Sequence, residues 1–277
     1  YLGVDSVGLS HVRTACRSPL KNGGRVVSRK RVLITGMSGL IGSVVRRHLQ
    51  DTCELSALNR SDVPGVECHR ADIVNLEAIQ PAFAGKDVVV HLAAHSGEAP
   101  WDVMLPHNVI GPYNVLEASR RAGVQRVIIA SSGSTVSGWE KEDPYRALIA
   151  GPPDEMPETW EKLTHRSPVR PSGLYGCTKV WGETLARHFA DAEGVSVLCL
   201  RIGAVNREDR PLEPRHFSVW CSQRDIVQMV ERCIEAPESL RFDIFYAVSD
   251  NRWSYRDLEH ARQVLGFVPQ DRAENFR

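Results

Sequence analysis

Residues 35–42 read TGMSGLIG, between a short apolar run, RVLIT (31–35), and a stretch of helical period, SVVRRHLQ (43–50). No other feature limits the fold as tightly. Glycines 36, 39 and 42 recur at every third residue. A strand turning sharply into a helix needs small residues at the turn. The same turn lets another backbone or a ligand come close, and leaves the first helical N–H groups facing an anion such as a pyrophosphate. The alternation then repeats. CELSAL (53–58), VECHRADI (66–73), DVVVHLAA (87–94), RVIIASS (126–132), VSVLCLRIG (195–203) and FDIFYAV (242–248) read as strands. Between them fall the helical stretches NLEAIQPAF, NVIGPYNVLEASRRAG (stopped by Gly123), the segment from LYGCTK, and RDIVQMVERCIEAP. A continuous apolar strand such as DVVVHLAA is buried on both faces. The pattern predicts an α/β chain with a doubly wound parallel sheet, whose ligands lie beyond the carboxyl ends of the strands.

The unusual residues fall at those ends: Gly36, Asn59, Asp72, Ala93 and Ser132. Two segments, near 137–172 and 204–224, escape the alternation and are rich in Pro, Trp, Arg and Glu, as expected of a substrate cover. Residues 1–29 hold five basic residues against one acidic, Asp5, and no regular period, so an N-terminal extension with little structure is expected before a single domain over 30–277. Basic and acidic residues balance at 34 each, which argues against a nucleic-acid or membrane-surface partner. Seven scattered cysteines without C-x-x-C spacing point to reduced thiols in the cytoplasm. Ten histidines show no ligand spacing, so no metal site is expected.

Tyr175 and Lys179 stand four apart in LYGCTKVWGETLARHF and therefore share one helix face. A free tyrosine, with a pKa near 10, is a poor base at neutral pH; a nearby ammonium favours its phenolate, and a serine hydroxyl can orient a substrate oxygen. With T-G-x-x-G-x-x-G at 35–42, ADI at 71–73, HLAA at 91–94, Asn108 in HNVIGPYNVLEA and Y-x-x-x-K at 175–179, the chain resembles the extended, epimerase-like branch of the short-chain dehydrogenase/reductase superfamily. Within that branch it is most similar to uronate dehydrogenases, through YGCTKVWGE, LRIGAV, RHFSVWCSQRDIVQMVERCIEAP and LGFVPQDRAENFR.

The resemblance implies a Rossmann-type sheet with a small C-terminal substrate-binding portion. It implies oxidation of a hexuronate-like sugar at C1 to a lactone, with nicotinamide dinucleotide as hydride acceptor and a small sugar or sugar acid as partner. Ser132, Tyr175, Lys179 and Asn108 would be the catalytic set, Ser131 being the less favoured serine. The cofactor would meet Gly36, Ser38, Gly39, Leu40, Ile41, Asn59, Arg60, Asp72, Ile73, Leu92, Ala93, Ala94, Asn108, Tyr175 and Lys179. Ser96, Ser132, Gly133, Ser134, Tyr175 and Arg215 would meet the substrate, with the Arg215 fork on a carboxylate. Asn59 and Arg60 stand where NAD sites commonly place an acid, which favours NADP over NAD. The chain departs from the uronate dehydrogenase pattern at Gly133 and Ser134, where Asn-His is usual, and at Ala204, where a serine is usual. A nucleotide-sugar epimerase or dehydratase and a carbonyl reductase use the same pair of residues. A regulator that binds the dinucleotide without catalysis would keep the fold alone. A homo-oligomer is expected from related proteins.

Overall fold

The computed structural model of the chain describes residues 29–150 and 158–276. All but the last residue of the expected N-terminal extension, and positions 151–157 of the first cover segment, lie outside the described residues. The strands β1 (Arg31–Thr35), β2 (Glu54–Asn59), β3 (Glu67–Arg70), β4 (Val88–His91), β5 (Arg126–Ser132), β6 (Ser196–Ile202) and β7 (Phe242–Ala247) form one sheet. Its order is β3-β2-β1-β4-β5-β6-β7, and every pairing is parallel. The helices are α1 (Leu40–Leu49), α2 (Leu76–Ile79), α3 (Trp101–Met104), α4 (Gly111–Arg121), α5 (Tyr145–Ala150), α6 (Leu174–Ala192), α7 (His216–Val219), α8 (Gln223–Glu235) and α9 (Glu259–Leu265).

Alternate strand residues face opposite sides of the sheet and build two cores. Val32, Ile34, Val88, Val90, Leu198 and Leu200 pack with Val45 of α1, Ile226 and Val230 of α8 and Leu265 of α9. Leu33, Val89, Val127, Val197 and Cys199 pack with Val115 and Leu116 of α4 and with Ala186 and Phe189 of α6. Each such fully buried aliphatic side chain contributes about 1.5–3 kcal/mol. A third cluster caps the sheet: Val136, Tyr145, Leu148, Leu163, Val219, Tyr246, Trp253 and Tyr255. The two irregular segments meet here, where the Ser218 hydroxyl donates to the Leu148 carbonyl at 2.6 Å. Trp253 and Tyr255, from the stretch after β7, complete the cap. Nothing in their local pattern announced that role.

Strand and helix limits differ from the sequence reading at the site. The β4 ladder ends at His91, and the N–H groups of Leu92 and Ala93 turn onto the Thr35 hydroxyl at 3.2 and 3.1 Å. β3 stops at Arg70, which frees Ala71, Asp72 and Ile73 to line a cavity. The helix around Asn108 begins earlier, at Trp101, and passes through a π-helical stretch, Leu105–Ile110, before becoming α4. Pro106 brings no N–H to that widened segment, and such interruptions often mark functional positions. Gly123, at φ +69°, follows the end of α4 as expected.

Candidate active site

From β1 the chain steps outward to β2 and β3, then crosses back to β4. This reversal opens a crevice beyond the carboxyl ends of β1 and β4. Gly36, at φ +71°, lets the two strand ends touch: a Cβ there would lie 2.9 Å from the Ala93 nitrogen. The N-cap of α1 is Gly39, and no side chain caps its free N–H groups. The crevice holds a cavity of about 510 Å³ lined by Gly36, Ser38, Gly39, Asn59, Arg60, Asp72, Ile73, Leu92, Ala93, Ala94 and Ser96. Glycine turn, uncapped helix start and a cavity of this size together fit a dinucleotide.

Leu58, Ser61, Ala71, His95, Val103 and His107 also line the cavity and had not been singled out. Their positions beside expected residues are the signal that could have found them. Leu40 and Ile41 are not on its lining. The Asn59 amide donates to Ser38 Oγ at 2.8 Å and to the Ser61 carbonyl at 3.2 Å. Its Nδ2 is thereby committed, leaving Oδ1 as an acceptor for a ribose hydroxyl. Arg60 lies exposed on the lining, and its guanidinium makes no hydrogen bond among the described residues.

Strand alternation decides between the two serines that end β5. Ser131 turns away and donates to Glu183 at 2.6 Å. Ser132 turns the other way, towards the Tyr175 phenol; its hydroxyl donates to Ser134 Oγ at 3.1 Å and accepts from the Ser134 N–H at 3.1 Å. Burial pushes the phenol above its usual pKa, while the Ser132 hydroxyl pulls it down. Lys179 lies one turn along α6, its Nζ 5.5 Å from the Tyr175 ring centre. Burial draws that ammonium down to about 8, opposed by the Glu183 charge, and Nζ donates to the Ala130 carbonyl at 2.8 Å. Asn108 shares a small recess with Lys179, Ala93 and Ala94. Its own bonds go to the His95 backbone, N–H and carbonyl, at 2.8 and 3.0 Å, and to Thr178 at 3.4 Å. It thus fixes the turn after β4 against α6.

On the cap side, Arg215 does not stand free. Its Nε and Nη2 fork onto Glu140 at 2.8 and 2.7 Å, leaving Nη1 without a hydrogen bond among the described residues. The Tyr255 hydroxyl also donates to Glu140. Burial opposes the Glu140 charge, but Arg215 and Tyr255 outweigh it and hold the carboxyl below its usual range. Ala204 pairs through its backbone with Trp220, joining β6 to the cap.

The fold also gathers three groups able to bind a metal, which sequence spacing did not suggest: His165, Asp243 and His260. The two imidazoles stack at 3.7 Å, 19° from parallel, and His260 Nε2 bonds Asp243 at 2.9 Å. Nearly parallel rings point their in-plane lone pairs alongside each other rather than at one ion, so this group reads as a stacked tie between the cap and β7. The cysteines among the described residues are unpaired thiols, and no described helix is long and apolar enough to cross a membrane.

Comparison with known proteins matches residues 32–206 to the NAD dependent epimerase/dehydratase family. The chain is 34% identical to the NAD-dependent glucose-6-phosphate dehydrogenase of Haloferax volcanii, over 88% of this chain and 95% of the relative. It is 35% identical to the uronate dehydrogenase of Agrobacterium fabrum, over 90% of this chain and 87% of the relative. The crystal structure of a mutant uronate dehydrogenase from Agrobacterium tumefaciens, complexed with NAD, superposes with a TM-score of 0.75 at 33% identity, covering 90% of this chain and 88% of that one.

Proposed function

The chain belongs to the NAD dependent epimerase/dehydratase family, and from that premise we propose that it is an NAD(P)-dependent dehydrogenase of small sugars. Its substrate would be a hexuronate-like aldose, oxidised at C1 to the lactone. One observation carries the reading: Ser132, Tyr175 and Lys179 converge at the end of β5, next to the crevice where β1 and β4 part. The relatives support the chemistry, since each is named a dehydrogenase of a sugar derivative.

A bound nicotinamide dinucleotide supplies the hydride acceptor. The chain supplies everything else. Gly36, Gly39 and the start of α1 would hold the pyrophosphate, and Ser38, Asp72, Ile73, Leu92, Ala93 and Ala94 would frame the rest of the cofactor. Asn59 Oδ1 suits the ribose hydroxyl of NAD, and Arg60 suits a 2′-phosphate, so the proposal covers both dinucleotides. Ser132 orients the C1 hydroxyl and Tyr175 takes its proton. Lys179 must keep its charge to favour the phenolate, against the burial that raises the phenol. Asn108 positions the loop beneath them, while Ser96, Gly133, Ser134 and Arg215 face the sugar. Unpaired thiols support a cytoplasmic setting, and the exposed Ile110, Tyr113 and Trp181 support a homo-oligomer.

The test is Tyr175→Phe. Turnover of uronates and aldoses, followed by reduced-nicotinamide absorbance, should fall by about 10²–10⁴ with dinucleotide affinity unchanged. Retained turnover removes Tyr175 from the proposed role.

A further inference from the structure

Three arginines are buried among the described residues, and they meet different fates. Arg126 spends its guanidinium on Ser196 and the carbonyls of Cys233, Ala236, Pro237 and Leu240. Arg201 is held by Glu183 and Tyr246. Arg256 is 3% exposed, yet its Nε and Nη1 are sealed from solvent with no hydrogen-bond partner among the described residues. The Tyr255 ring lies 5.5 Å from the guanidinium carbon. A buried cation without an anion is a strongly unfavourable arrangement, and such groups ordinarily find a carboxylate or give way to apolar residues.

The position of this cation is informative. A Cβ built on Gly133 would lie 2.0 Å from Arg256 Nη2, 2.2 Å from Cζ and 2.4 Å from Nη1. The guanidinium therefore occupies the space that any side chain at position 133 would claim. Gly133 directly follows Ser132, whose hydroxyl acts on the Tyr175 phenol. The local charges do not balance either. Glu140 feels the Arg256 charge, but Arg215 takes both its oxygens, at 2.7 and 2.8 Å, and Tyr255 adds a third bond. Two cations share one carboxylate, which leaves a positive excess beside the reaction centre.

We infer that Arg256 is a specificity-determining residue whose guanidinium, seated in the space left by Gly133, takes an oxyanion on the sugar, a carboxylate or a phosphate. A planar fork meets either group with parallel charge-assisted hydrogen bonds, and substrate binding supplies the missing negative charge. The inference rests on the sugar dehydrogenase reading and adds to it. Arg215 is largely engaged in holding the cap together, and among the described residues the buried unpaired cation beside Gly133 comes from the stretch after β7.

The experiment compares wild type with Arg256→Gln. With NAD, kcat/KM is measured for glucuronate, glucose 6-phosphate and glucose. In parallel, thermal unfolding is followed with each of these compounds and no cofactor. Wild type should prefer at least one charged sugar, and the variant should lower the charged-to-neutral ratio of kcat/KM about 10- to 100-fold, the loss of a charge-assisted bond. The preferred charged sugar identifies carboxylate or phosphate. Its stabilisation of wild type, beyond that by glucose, should vanish in the variant. An unchanged ratio together with undiminished stabilisation overturns the inference, as does the absence of any preference for a charged sugar in both measurements on wild type. Should Arg256→Gln fail to fold, Gly133→Ala displaces the guanidinium while keeping its charge, and must lower the same ratio. If wild type oxidises none of the sugars, the dehydrogenase reading falls, while unfolding with and without charged sugar still decides the role of Arg256.

Discussion

The buried pair of Arg201 on β6 and Glu183 on α6 gives the sharpest stability prediction. Arg201 Nε and Nη2 reach the two Glu183 oxygens at 2.8 Å each, and the side chains are 2% and 5% exposed. Ser131 donates to the same carboxylate at 2.6 Å, and Arg201 Nη1 donates to the Tyr246 hydroxyl at 3.1 Å. Glu183→Gln keeps the shape and removes the charge, leaving a sealed guanidinium without its anion. Breaking such a pair costs about 3–5 kcal/mol. Arg201→Met alone should cost a similar amount, because the Glu183 carboxylate then loses its cation. Glu183→Gln with Arg201→Met removes both charges, and the double variant should lie within about 2 kcal/mol of wild type, far from the sum of the single losses. Urea unfolding at constant m reads all four proteins. A Glu183→Gln loss below about 1 kcal/mol, or single losses that simply add in the double variant, would refute the argument that desolvated charge dominates here.

Four further outcomes follow from the geometry. Gly266→Ala places a side chain at φ +66° in open space and should cost only the left-handed strain, about 1–2 kcal/mol. Gly36→Ala adds to that strain a 2.9 Å contact with the Ala93 nitrogen, and should cost about 1–3 kcal/mol more in urea unfolding and weaken dinucleotide binding. Arg60→Ala should raise KM for NADP about tenfold or more and KM for NAD far less; equal shifts would remove Arg60 from phosphate recognition. His91 bonds the Thr35 hydroxyl through Nδ1 at 2.8 Å, and burial, aided by the Lys179 charge, lowers its pKa to about 3. Its neutral form therefore stabilises the fold fully above about pH 6.5, and stability should fall by up to about 1.4 kcal/mol per pH unit as acid is added below that. His91→Gln should flatten this limb of the stability profile, and an unchanged limb would refute the assignment.

Local periodicity accounts for what could be read directly from the chain. Alternation of apolar runs with helical stretches gives the parallel sheet, because a strand buried on both faces and an amphipathic helix have few other ways to bury their apolar surface. The spacing of Tyr175 and Lys179 puts them on one helix face. Strand period sends Ser131 and Ser132 to opposite sides. The glycines of TGMSGLIG mark the turn at the sheet's reversal, though the 2.9 Å approach to Ala93 is visible only once β4 lies beside β1.

The fate of each charge belonged to the tertiary structure. Arg126, Arg201, Arg215 and Arg256 are the same residue type in sequence, yet one is held by carbonyls, one is sealed against Glu183, one is clamped to Glu140 and one is left unpaired among the described residues. None of these partners is a close neighbour along the chain, so no local pattern could assign them. The folded sheet brings the stretch after β7 over Gly133, and burial then makes the presence or absence of a partner for each charge decisive.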